Sequence, residues 1–343
     1  MEKLIVSTSP HIRSDESVPR IMWTVVISLI PAAAVGCYFF GMRGDGTFSF
    51  RPVFVLLGSI AVAVATEAII LGLRGKGARN ALDGSAVITG MLFAMVCSSN
   101  IPWYVVVLGS FFSIAVAKQM FGGLGYNIWN PALIGRAFAL MAWGVEMGKR
   151  WPVPMHADAL SGATPLDVLK TQDPLVAPYS VWNLFIGRVP GCLGETSALL
   201  LLVGGIFLIA RKYVDWRIPL SYIVTAVILC LVIPFKKEMN LSWFNNLSIF
   251  EKAGYYAFSG GLFLGAFFMA TDMVTSPMTK KGALIFGIGC GALTALIRKL
   301  GGYPEGVCYS ILLMNTATPI IDRWTKPKKF GEVRQQPATV PAK

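Results

Sequence analysis

Pro52-Val-Phe-Val-Leu-Leu-Gly-Ser-Ile-Ala-Val-Ala-Val-Ala-Thr-Glu67-Ala-Ile-Ile-Leu-Gly-Leu73 is apolar from end to end, with Glu67 as its single charge. As a helix rising ~1.5 Å per residue it is ~33 Å long, enough to cross ~30 Å of hydrocarbon. Ile21–Met42, just before it, is as long and carries no charge. The pattern continues along the chain in Gly84–Ser98, Trp103–Ala117, Ile128–Met147, Ser197–Ala210, Arg217–Ile233, Gly254–Thr271, Ala283–Ile297 and Gly306–Asp322. Of the 343 residues 55% are hydrophobic and only 14% charged, against about 25% charged in an average soluble chain. A water-soluble globule is excluded, and the fold class expected is an all-α polytopic membrane protein of about ten transmembrane helices. The net charge of +12 sits mostly beside the apolar runs, where it reads as a topology and headgroup signal rather than a nucleic-acid surface.

The third, fourth, sixth and ninth runs fall well short of the roughly 20 residues that a straight crossing needs, so broken or re-entrant helices are expected among them. Irregular backbone at membrane depth survives where protein or a water-filled cavity covers it. Met1–Arg20 is charged and carries Pro10 and Pro19, unlike a cleavable signal peptide. Lys and Arg divide 18 to 11 between alternate sets of loops, with Arg136 inside a span. The excess places both termini in the cytoplasm. The expected organisation is a cytoplasmic segment 1–20, five spans in 21–147, an extracytoplasmic loop 148–196, five spans in 197–322 and a cytoplasmic tail 323–343. At one constant offset Gly84 falls on Gly261, Ser99 on Ser276 and Gly125-Tyr126 on Gly302-Tyr303. Equivalent spans would then lie five crossings apart and run oppositely, as an inverted repeat.

Six cysteines (Cys37, Cys97, Cys192, Cys230, Cys290 and Cys308) form no CxxC pair and read as small hydrophobes. The only histidines, His11 and His156, are too few for His–His haem ligation, and no metal site is expected. Walker and dinucleotide-binding glycine loops are absent from the sequence, which argues against ATP-driven transport and a Rossmann unit. Charges inside spans cost ~3 kcal/mol each on insertion scales, and three stand out. Glu67 could snorkel or handle an ion. Asp272, followed by Met273-Val274-Thr275-Ser276-Pro277, gathers the oxygens a hard cation needs. Arg136 reads as a structural partner for a carboxylate or for helix C-terminal carbonyls.

In the long loop stands Asp158-Ala-Leu-Ser161-Gly162-Ala163-Thr164-Pro165. It reads either as an ordinary surface turn or as a protruding loop whose exposed Thr164 hydroxyl a modifying enzyme could reach, with Pro165 holding Thr164 extended. Composition leaves both open.

Four stretches together carry a family likeness: Ser9-Pro10-His11 with Met22-Trp23; Phe121-Gly-Gly-Leu-Gly-Tyr126 with Asn130-Pro-Ala-Leu-Ile-Gly-Arg136-Ala-Phe138; Asp158-x-x-Ser161-Gly162-Ala163-Thr164; and Met269-Ala-Thr-Asp272 with Tyr303-Pro-Glu-Gly306. The chain resembles the D subunits of Rnf electron-transport complexes and, more distantly, the B subunits of Na+-translocating NADH:quinone reductases. The shorter N-terminal region favours the first. The resemblance implies FMN joined by a flavin transferase through a phosphoester to Thr164, with Asp158, Ser161, Gly162 and Ala163 as the surrounding motif. It also implies a noncovalent riboflavin nearer the cytoplasm, and two inverted five-helix halves like those of urea transporters. Glu67 and Asp272 become candidate residues of an ion pathway, and Asn130 is expected in helix packing. The implied setting is a bacterial or archaeal plasma membrane, in a complex with a second FMN-bearing subunit and iron–sulfur subunits. There, electrons passing between ferredoxin and NAD would drive Na+ or H+ across the bilayer. A small-solute transporter or channel on the same architecture is the alternative.

Overall fold

The computed structural model describes residues 16–148, 151–155, 162–171, 179–234 and 242–327. Among them the regular structure is helical, with an isolated bridge between Met42 and Phe48. Helix α1 (Val18–Gly41) starts where Ser17 Oγ accepts the Arg20 N–H and Pro19 fits the first turn, a position that needs no N–H donor. α2 (Arg51–Leu73) follows, then the short α3 (Ser85–Met95) and α4 (Trp103–Ile114), which runs on as a π turn, Ala115–Gln119. α5 (Pro131–Ala142) is capped by Asn130, whose Oδ1 accepts the N–H groups of Ala132 and Leu133 at 3.0 and 3.4 Å. Three short helices, α6 (Gly144–Gly148), α7 (Pro165–Thr171) and α8 (Val181–Ile186), lead to α9 (Ala198–Ala210) and α10 (Arg217–Val232). α11 (Ser242–Asn245), α12 (Ile249–Phe258) and α13 (Leu262–Leu264) precede a second π turn, Gly265–Met269, and then α14 (Lys280–Leu300) and α15 (Val307–Thr325).

α1, α2 and α14 are long and apolar enough to cross a membrane. The shorter helices cross-brace them through small residues and hydroxyls. Ser59 Oγ of α2 donates to Gly90 O of α3 at 2.6 Å and pairs with Ser110 Oγ of α4 at 2.9 Å. A Cβ on Gly90 would come within 2.8 Å of the α2 backbone, so this close approach requires glycine. In the second half Tyr222 of α10, Thr294 of α14 and Ser310 of α15 close a buried hydroxyl triangle with sides of 2.7 to 3.0 Å.

Two of the expected boundaries change. The ninth run, read as short from Ala283–Ile297, is the full-length α14, because Lys280, Lys281, Arg298 and Lys299 all lie within the helix. The eighth, read as continuous, breaks at Ser259-Gly260-Gly261, where Gly260 takes φ +72°, a conformation open to glycine. The helix starts at Ser85, Trp103 and Pro131 recur, to within one position of a constant spacing, at Leu262, Lys280 and Val307.

The helix ends sort onto two faces. Ile21 and Met22 of α1, Leu208 of α9, Val214 and Asp272 surround one cavity, and Met278, just beyond, donates its N–H to Asp322 of α15. Both ends of the described chain therefore lie on that face. Thr164, Glu195, Gly260 and Glu305 surround a cavity on the opposite one.

Candidate functional site

α5 connects the two cavities. Asn130 and Pro131 at its start line the first, whereas Arg136 and Leu140 line the second, with roughly 14 Å of helix from Pro131 to Leu140.

The second cavity, of about 250 Å3, is walled by Thr164, Asp167, Arg136, Glu195, Glu305 and the rings of Trp151 and Tyr303. Pro165 opens α7, and the Asp167 N–H donates to Thr164 Oγ at 3.2 Å. Thr164 is only 9% exposed, which corrects the reading of a hydroxyl on a protruding loop: the apolar face of α7, with Leu166, Val168 and Leu169 buried, draws the segment inward so that Thr164 lines the cavity wall. Tyr179 Oη donates to Ala163 O, and Gly162 N–H to Trp151 O. Asp158 and Ser161 lie outside the described residues.

Arg136 donates to Glu305 Oε2, and the other Glu305 oxygen accepts the Gly261 N–H at 2.8 Å. The carboxylate reading of Arg136 is the one that holds, and the partner comes from the far half of the chain. Glu305 was visible only within the Tyr303-Pro-Glu-Gly306 likeness and Glu195 not as a site residue, because each sits in a Gly-containing loop outside the apolar runs. Burial, and then the Glu305 charge, push the Glu195 carboxyl up to about 7.

The first cavity, of about 80 Å3, is lined by Ser85, Thr89, Lys118, Asn127, Asn130 and Asp272 among apolar side chains. Glu67 lies beside it in a buried ion pair: Lys118 Nζ is 2.7 Å from Glu67 Oε2 and 2.6 Å from Ser85 Oγ, while Gln119 Nε2 donates to Glu67 Oε1 at 2.8 Å. Glu67 does not snorkel. Lys118 was missed because the fourth apolar run stops at Ala117, whereas the π turn carries the helix on to Gln119. Asp272 accepts the Val274 N–H at 3.4 Å and the Thr275 hydroxyl at 3.2 Å, and the Thr275 carbonyl is taken by Thr318. Asn130 packs as expected, its Nδ2 donating to Met269 O across the halves at 3.1 Å. All six cysteines are buried and free, and no metal-holding cluster of His, Cys, Asp and Glu is found among the described residues.

A family model described as NQR2, RnfD, RnfE matches residues 5–331. The chain belongs to that family. Within it, the chain is 45% identical over 339 residues to the D subunit of the proton-translocating ferredoxin:NAD(+) oxidoreductase complex of Clostridium ljungdahlii, covering 96% of each chain. To the D subunit of the Na(+)-translocating ferredoxin:NAD(+) oxidoreductase complex of Acetobacterium woodii it is 44% identical, covering 96% of this chain and 95% of the relative. The D subunit of the ion-translocating oxidoreductase complex of Stutzerimonas stutzeri is 37% identical, covering 95% of this chain and 96% of the relative. Two members of the family named for different cations thus stand equally near, so overall identity does not choose between Na+ and H+.

Proposed function

We propose that the chain is a membrane flavoprotein subunit of an ion-translocating ferredoxin:NAD oxidoreductase complex, with FMN esterified to Thr164 and housed in the second cavity. The observation that carries this reading is that the Thr164 hydroxyl lines a cavity also walled by two aromatic rings and a partly buried guanidinium. The residues fit the group. Thr164 Oγ serves its own helix as an acceptor, a role an ester oxygen retains. A Cβ on Gly144 or Gly148 would meet nothing within 4 Å, which leaves that side of the wall open. Trp151 and Tyr303 offer apolar faces for a planar ring, Leu140, Met147 and Leu166 exclude water, and Arg136, fixed by Glu305, supplies positive charge. A flavin bound there supplies reversible electron carriage, while the protein sets its position and electrostatics.

In this reading the ten apolar runs form ten crossings in two inverted halves, supported by the helix starts that recur at a matching spacing in the second half. The face holding both chain ends is cytoplasmic and Thr164 extracytoplasmic, in keeping with the Lys and Arg bias. Asp272 at the first cavity and Glu67 beside it belong to the ion route, and the Lys118 pairing makes Glu67 the less free of the two. Riboflavin, a flavin transferase and iron–sulfur and second FMN-bearing partner subunits follow from the resemblance. The names of the relatives favour this oxidoreductase role over a small-solute transporter.

The test is ferredoxin-dependent NAD reduction in vesicles carrying the whole complex, with and without Na+. Thr164→Ala should abolish coupled reduction with the complex still assembled; wild-type rates in that variant would reject the flavin assignment.

A further inference from the structure

Among the described residues that line the second cavity, Asp167, Glu195 and Glu305 are the carboxylates and Arg136 the cation, with Lys170 beside the cavity donating to the Tyr303 carbonyl at 2.6 Å. Among the described residues, Arg136 is the cation in contact with its carboxylates, and Glu305 takes it, with its second oxygen held by the Gly261 N–H. Glu195, on the segment Leu193–Glu195 that leads into α9, lines the same cavity without a described cation of its own at contact distance. A second carboxylate in the same cavity as an already paired one, itself half-buried, favours its neutral form. The groups packed around it are few: Cys192 on its own segment, Cys97 at the end of α3, whose carbonyl accepts the Leu193 N–H, Arg136 from α5, and Glu305 beside Gly261. α1 contributes Gly36, which lies against the Leu193 carbonyl. Asp167 and Tyr303 face it across the cavity.

We propose that Glu195 is a proton-holding site of this cavity, and that negative charge arriving there draws a proton onto it from the water of the Thr164 face. In the step, the Glu195 carboxylate takes H+ from that water and an O–H bond forms; the proton offsets the added negative charge. When the charge leaves, the O–H bond breaks and the proton returns to water. The near-neutral titration of Glu195 places the exchange where a small change in local charge shifts it most. The proton site stands on the cavity alone, whereas its coupling to electron arrival rests on the flavin reading.

Infrared difference spectroscopy of the full-length chain in its complex separates these. A carboxylic-acid C=O band that shifts in D2O should fade as pH rises through neutrality and be missing in Glu195→Gln. In Glu305→Gln the midpoint should move to lower pH, because a like charge is removed and Arg136 is released. Persistence of the band in Glu195→Gln, or a midpoint that rises or stays put in Glu305→Gln, would overturn the proton site. Reduction by dithionite should raise the midpoint in the wild-type complex and leave it unmoved in Thr164→Ala. An unmoved midpoint in a wild-type complex carrying protein-bound flavin would overturn the coupling. Absence of flavin with the pH-dependent band intact would reject the flavin reading and leave the proton site standing.

Discussion

At the scale of single residues, the chemistry rests on groups whose surroundings differ from their sequence context. Glu67 was visible as a charge in an apolar run, but its partner Lys118 lay one residue beyond the boundary that hydropathy drew. Because the pair is buried, removing one partner strands the other charge, at a cost of about 3–5 kcal/mol. Lys118→Met should therefore lower thermal stability sharply, and the double variant Lys118→Met/Glu67→Gln should recover much of the loss; equal melting of the single and double variants would show that the pair is not coupled. Asp272, held by a hydroxyl and a backbone N–H but by no contacting cation among the described residues, has a different expected signature. Asp272→Asn should impair Na+- or H+-coupled transport while leaving flavin attachment intact, and normal coupling in that variant would remove it from the ion route. For Glu195 burial, and then the Glu305 charge, push the folded carboxyl from an ordinary 4.5 up to about 7. Between those values the native state binds more protons than the unfolded one, so this residue's contribution makes stability fall as pH rises through the window and level off above it. Glu195→Gln should flatten that decline in a pH series of melting temperatures.

Among elements, the apolar runs located the helices well, because hydrocarbon leaves only helix or closed barrel to satisfy the backbone. What hydropathy could not show was where a helix changes winding or stops. The π turns at Ala115–Gln119 and Gly265–Met269 are apolar throughout apart from Lys118 and Gln119, so composition carries no mark of them. Lysines at the start of α14 and basic residues at its end made a full-length helix look short. Thr164 was found by motif and resemblance, but its burial follows from the apolar face of α7, and this helix of two turns is too brief for its periodicity to stand out. Close packing at glycine was equally hidden: a Cβ on Gly287 of α14 would overlap Ser221 Oγ and lie 2.7 Å from Ile218 O of α10. Gly287→Ala should force α10 and α14 apart and lower the melting temperature by several degrees, whereas Gly72→Ala, which meets nothing within 4 Å, should leave it near wild type.

Across the whole molecule, two cavities of different character open toward opposite faces and share α5. The first is small and mostly apolar, flanked by the Glu67–Lys118 pair, with Asp272 in its wall. The second holds Thr164, the Arg136–Glu305 pair and Glu195. In the proposed reading electrons pass near one face and ions through the interior; the halves themselves are joined by the Arg136–Glu305 pair and by the Asn130–Met269 and Trp129–Thr316 hydrogen bonds. The most direct measurement is ultraviolet fluorescence of the chain on a denaturing gel, after expression of the full complex together with its flavin transferase. A flavin band should migrate with the wild-type chain through denaturation and vanish in Thr164→Ala. A wild-type chain without fluorescence, or a Thr164→Ala chain that fluoresces as strongly, would contradict the flavin at Thr164.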